Sequence, residues 1–111
     1  MVGYEKHKLI VNSKVIKCFE FEIRNIIEYG DEFVVLLDIP FDNDIEKNNI
    51  LRVDGSGNVV WTIDNSAYSN NSYPFEQMTL RDGWLYATDF YARRVKVDIK
   101  TGKIVDITIS K

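Results

Sequence analysis

Covalent catalysis needs a nucleophile beside a base, and this chain offers little of either. It holds one His and one Cys in 111 residues. His7 lies close to the N-terminus and reads as an exposed hairpin residue rather than a general base; Cys18 falls on a candidate strand. Asp42, Asp44 and Glu46 have the D-x-D-x-E spacing that presents carboxylate oxygens to Ca²⁺. A full calcium loop also needs Gly at its sixth position and Glu at its twelfth, where this chain has Lys47 and Val53. A solvated acidic loop is expected there, and no metal. Asp38 and Asp89, read as equivalent residues at the ends of equivalent strands, are the candidate carboxylate pair for hydrolysis. Repeat symmetry explains them without catalysis, since each can accept hydrogen bonds in a strand-end turn. Asp54-Gly55-Ser56-Gly57-Asn58 opens no helix, so it is a hairpin turn and not a phosphate cradle. No catalytic residue, metal or cofactor is expected, and the chain does not read as an enzyme.

Aromatic residues in loops are the other chemistry available. Asp64–Phe75, DNSAYSNNSYPF, has no strand periodicity and is rich in Tyr, Ser and Asn. That is the composition of adaptable protein-binding loops, which combine large contact area with few rotors. Tyr68, Tyr73 and Phe75, with Phe90 and Tyr91, are expected to line a contact surface for another protein. Asp42, Asp44 and Glu46 would extend it toward a basic partner. The competing expectation is that these rings cap the core.

The elements that must hold these residues read as strands. In Trp84–Phe90, Trp84, Tyr86, Thr88 and Phe90 alternate with Leu85, Ala87 and Asp89. Val95, Val97 and Ile99 alternate with Arg94, Lys96 and Asp98 in the same way, the period-two pattern of half-buried strands. Gly102 allows a reversal, and Ile104–Ile109 runs back with Val105, Ile107 and Ile109 on one face. Phe33–Leu37 is apolar on both faces, as in a central buried strand, and Pro40 closes it. Phe19, Phe21 and Ile23 alternate with Glu20, Glu22 and Arg24, as in a strand with one wet face, and Ile23–Glu28 and Glu76–Arg81 are candidate first strands. Leu9–Val11 and Val15-Ile16 flank a turn-like Asn12-Ser13-Lys14, so residues 7–21 are expected to hold a hairpin. Residues 1–6 read as a frayed end.

Much of this is stated twice. NILRVDGSGNVVWTID at 49–64 repeats the pattern of the stretch ending at Ile109, with Val53-Asp54 matching Val97-Asp98 and Gly57 matching Gly102 45 residues later. Lys14-Val15-Ile16 falls where Asn58-Val59-Val60 and Lys103-Ile104-Val105 fall. A period of ~45 residues with about four strands per unit is that of propeller blades. Asp98–Val105, D-x-x-T-G-K, resembles the blade motif of quinoprotein-type β-propeller repeats. That resemblance implies an all-β fold: two consecutive four-stranded antiparallel blade-like units, 22–64 and 75–110, after an N-terminal hairpin. It also implies that Trp61, at the motif's terminal position, packs between units. The second unit has Asp106 where that Trp would fall. No quinoprotein cofactor or metal ligands are matched, so no such activity is carried over.

Composition sets the outer limits. Hydrophobic residues make up 45% and charged residues 28%, which is globular and not disordered. The net charge of −3 disfavours nonspecific nucleic-acid binding. A single Cys permits no internal disulfide and suits a reducing compartment. No apolar run is long enough for a signal peptide or a membrane span, so a cytoplasmic location is expected. Two and a half units leave open edges, resolved by self-association into a ring, by charged edges or by a partner. The chain is similar in kind to small bacterial immunity proteins, which neutralise toxins that are often basic nucleases. A protein-binding module is therefore the leading expectation. An enzyme or small-ligand sensor with its site at a subunit interface, or a structural part of a larger propeller assembly, are the alternatives.

Overall fold

The computed structural model describes residues 1–40, 48–64, 73–90 and 92–109. All regular structure among them is β. Three antiparallel sheets follow one another along the chain. The first is β1 (Val2–Glu5), β2 (Lys8–Val11) and β3 (Lys14–Cys18). The middle sheet is β4 (Glu22–Tyr29), β5 (Glu32–Asp38), β6 (Ile50–Val53) and β7 (Val59–Thr62). The last is β8 (Phe75–Arg81), β9 (Trp84–Asp89), β10 (Arg93–Val97) and β11 (Ile104–Ile109). Each is a meander in which consecutive strands pair, and the sheets stack without closing into a barrel.

Two apolar layers hold the stack. Leu9 packs with Ile23, Phe33, Val35, Leu37 and Val53 between the first and middle sheets. Val34, Leu36, Ile50, Trp61 and Ile63 meet Leu85, Ala87, Val95, Val97 and Ile104 between the middle and last sheets. The middle sheet is thus covered on both sides, which is why β5 is apolar on both faces.

The repeat extends to the irregularities. In each unit's outer hairpin one residue is skipped in the ladder: Ile16 between Val15 and Lys17, Val60 between Val59 and Trp61, Val105 between Ile104 and Asp106. The skipped residue is a β-bulge, and the three fall at positions equivalent in sequence. The first strands of the two larger sheets are bulged as well, at Arg24 and Glu76. Gly57 and Gly102 turn the corresponding hairpins at φ +90° and +77°. In both turns an aspartate carboxylate, Asp54 or Asp98, accepts a backbone N–H two residues on.

Several expectations need correction. Residues 1–6 are not frayed, because Val2–Glu5 pairs with β2 and makes the hairpin a three-stranded sheet. Phe19 and Phe21 do not continue a strand into Ile23. They lie in a short break, half-buried against the first apolar layer. In β11 the bulge reverses the alternation, so Ile104 and Ile107 pack inward while Val105 is 51% exposed. Asp38 and Asp89 are not equivalent: pairing of β5 with β6 and of β9 with β10 places Asp89 opposite Leu37 in the repeat, one residue off.

Candidate protein-binding surface

The last sheet has one face in the core and one turned outward. Two rows of residues cross the outward face. Thr79, Tyr86, Lys96 and Asp106 are successive cross-strand partners on β8, β9, β10 and β11, and Gln77, Thr88, Arg94 and Thr108 form the second row. Period-two alternation puts them there, since Leu85, Ala87, Val95 and Val97 take the buried side.

Cations lie on the rings of this face. The Arg94 guanidinium sits 4.6 Å from the centre of the Tyr86 ring and the Lys96 ammonium 4.3 Å from that of Trp84, both within cation–π range. Neither cation forms an ion pair among the described residues. Tyr86, Thr88, Gln77, Thr79, Ala92 and Arg94 rim a shallow depression of about 310 Å³. The result is a flat, aromatic and locally positive surface on a chain whose net charge is −3.

One corner of this face is fixed by Asp89, 5% exposed at the end of β9. Its carboxylate accepts the Arg93 backbone N–H at 3.0 Å and the Arg93 side-chain Nε–H at 3.0 Å. Ala92 takes φ +63° in the same turn, and its N–H is donated to the Asp89 carbonyl at 3.1 Å. The turn carries Phe90 outward, 60% exposed.

The expected site residues separate in the structure. Phe90 lies on the surface. Phe75 is corrected: it is 1% exposed, a core ring held between sheets, and cannot be offered to a partner. Tyr73, two residues earlier, is half-buried. Tyr68, Tyr91, Asp42, Asp44 and Glu46 lie outside the described residues. Asp38 and Asp89 serve separate arginines, Asp38 pairing with Arg24 at 2.6 Å and Asp89 with Arg93, so they form no catalytic dyad. His7 and Cys18 are both exposed. No cluster of three or more His, Cys, Asp or Glu side chains placed to hold a metal occurs among the described residues. Among the described residues no helix is long and apolar enough to cross a membrane.

Two structural residues have no signature in the sequence. Asn49 is fully buried; its amide donates to the carbonyls of Leu37 and Phe75, and its oxygen accepts the Phe75 N–H, all at 2.8 Å. It pins the start of β8 to the middle sheet, and that pin draws Phe75 into the core. Arg52 donates to Glu32 at 2.6 Å and to the Ile99 carbonyl at 2.9 Å, crossing between sheets beside the Trp61 indole, which donates to the same carbonyl at 2.8 Å. Asn49 sits at the end of a polar run, where a buried amide has no local signature. The outward pairing of Arg94 with Tyr86 is legible in the alternation of β9 and β10.

Residues 1–109 match the family described as Domain of unknown function (DUF7957), and the chain belongs to that family. No curated protein and no solved structure matches it.

Proposed function

We propose that this chain is a non-enzymatic module that binds another protein through the outward face of the last sheet and the adjoining corner at Phe90. The supporting observation is the pair of aromatic rings, Trp84 and Tyr86, each lying under a cation on rigid strands. Aromatic and arginine side chains are the types that most often anchor protein interfaces. Strands hold such anchors with little further entropy to lose on binding. The depression over Tyr86, at about 310 Å³, is open and at the small end of ligand pockets, which favours a protein surface over a small molecule.

The finer reading is an immunity-type role, in which the bound protein is a toxin held inactive. Arg94 and Lys96 call for carboxylates opposite them, whereas a basic region of the same partner would be met by Asp42, Asp44 and Glu46. The test is affinity capture of the tagged chain from its native cells, followed by titration of the captured protein with variants. Arg94→Glu and Tyr86→Ala should each weaken the complex by about thirtyfold, the equivalent of roughly 2 kcal/mol. Unchanged affinity in both variants, with folding intact, would place the contact elsewhere.

A further inference from the structure

The middle and last sheets can be superposed residue by residue through their ladders, and their forward faces, those turned toward the next sheet in chain order, differ systematically. In the middle sheet the first row runs Ile27, Val34, Arg52, Trp61. In the last sheet the same row runs Thr79, Tyr86, Lys96, Asp106. The second row has Leu36 and Ile50 in the middle sheet, with Ile63 bonded to Ile50, and Thr88, Arg94 and Thr108 in the last. In these two rows every apolar residue of the middle sheet is therefore replaced by a polar, charged or hydroxyl-bearing one, while in the next row Trp84 stands where the middle sheet has Glu32. Trp61 docks over Gly102, where an added Cβ would meet the indole at 2.5 Å. Asp106, its counterpart, is exposed.

The other end shows the same change. The rear face of the middle sheet presents Phe33, Val35, Leu51 and Val53, and that of the last sheet Leu85, Ala87, Val95 and Val97. At the equivalent places in the first sheet stand Gly3, Glu5, Lys8 and Ile10. Three of those four residues have lost the apolar side chain needed to pack on a preceding sheet. The edges are blunted too. Bulges interrupt β3, β4, β7, β8 and β11, and Asp106 turns its carboxylate back to accept the Ile107 N–H. Bulges and inward-turned polar groups are how sheets avoid pairing edge to edge.

We infer that the two end faces are caps: polar replacement at the stacking positions stops the three-sheet stack from accepting a further sheet, so the chain does not close into a ring with copies of itself. Stacked repeats require such polar terminal faces to stay soluble. The last sheet's forward face is thereby left for contacts made by side chains rather than by continued stacking. The inference stands on the ladder equivalences and does not rest on the proposed binding role; a monomer that binds no protein would still satisfy it.

The experiment has two parts, both under reducing conditions because Cys18 is exposed. Sedimentation equilibrium of the unaltered chain should return the mass of a monomer up to ~1 mM, a concentration at which any dimer with a dissociation constant below that would be populated. Self-association of the unaltered chain overturns the proposal, and this part needs no variant to fold. The second part restores the stacking residues at both ends, in separate proteins. One carries Thr88→Leu, Arg94→Ile and Asp106→Trp; the other carries Gly3→Phe, Glu5→Val and Lys8→Leu. Gly3 has open space where a side chain would start, so its substitution meets no clash. The first variant mixed with the second should form a complex at least tenfold tighter than either forms with the unaltered chain. Folded variants that remain monomeric when mixed overturn the proposal. Asp106→Trp alone, on an exposed edge-strand position, serves if the triple variant does not fold: added to the second variant it should still raise the association over Asp106, and no rise overturns the proposal.

Discussion

The middle sheet and the last sheet are built from the same ladder and put it to different ends. Val34 and Tyr86 occupy one position, Leu36 and Thr88 the next pair, Trp61 and Asp106 a third. On the middle sheet these residues are closed between two layers; on the last they look outward. Backbone pairing therefore sets where a side chain stands, while the neighbour on the far side sets whether it must be apolar. A strand's place in a stack cannot be judged from its own alternation alone.

Breaking the buried member of each pair should cost most. Trp61→Ala removes an indole packed over Gly102 and hydrogen-bonded to Ile99; unfolding in urea should show a loss of about 3–5 kcal/mol. Asp106→Ala, at the equivalent position, should stay within about 0.5 kcal/mol, as surface substitutions do. Equal losses would undo the equivalence. Asn49→Ala comes next. It removes the donor to the Leu37 and Phe75 carbonyls and the acceptor of the Phe75 N–H in a buried site, and about 3 kcal/mol should be lost, each lost buried hydrogen bond costing roughly 1 kcal/mol. The same denaturation experiment reads it.

The sequence made the strand alternation plain wherever one face is wet, and β5 plain because both faces are dry. It also showed the two glycine turns and the contrast of Trp61 with Asp106, since those depend on residue type at a fixed offset. Val2–Glu5 is not legible because a short strand containing Gly3 has no side-chain pattern; its existence depends on backbone pairing with Lys8–Val11. The bulge at Val105 shifts everything after it by one, which is why period-two alternation puts Val105 on the wrong side; Asp38 and Asp89 share only a residue type near a strand end, and the unbulged ladders of β5 with β6 and β9 with β10 set them one position apart. Phe75 reads as a loop ring because the chain before it is polar, yet Asn49, 26 residues earlier, fixes it inside. Long-range pins of that sort leave no local trace.

Smaller effects sharpen the comparison at the turns. Gly102→Ala meets two obstacles, a positive φ and the Trp61 ring 2.5 Å away, whereas Gly83→Ala meets only its φ of +79° in open space. The first should cost more than the second by at least ~1 kcal/mol, Gly83→Ala itself costing about 1 kcal/mol. Denaturant midpoints measured side by side decide this. Smallest of all is Asp54. The backbone N–H of Asn58, joined by that of Ser56, holds its carboxylate below the ordinary range. A folded-state value below the unfolded one means its contribution is present above the ordinary carboxylate range and is lost as pH falls through the folded value. The stability difference between the unaltered chain and Asp54→Ala should therefore shrink on acidification below about pH 4. A difference that is constant with pH would show that the carboxylate's charge is not what holds the turn.

The most direct test exchanges one pair of equivalent residues. Leu36→Thr and Thr88→Leu are the same change in opposite directions, at the same place in the ladder of two sheets. Leu36 is fully buried, so Leu36→Thr should lose about 3 kcal/mol in urea unfolding through a cavity and a buried hydroxyl. Thr88→Leu should change stability by less than about 0.5 kcal/mol, because the outward face has no layer to complete. That asymmetry is the predicted result. Comparable losses from both substitutions would mean that the last sheet's outward face is packed like the middle one, and the division between core and contact face would be wrong.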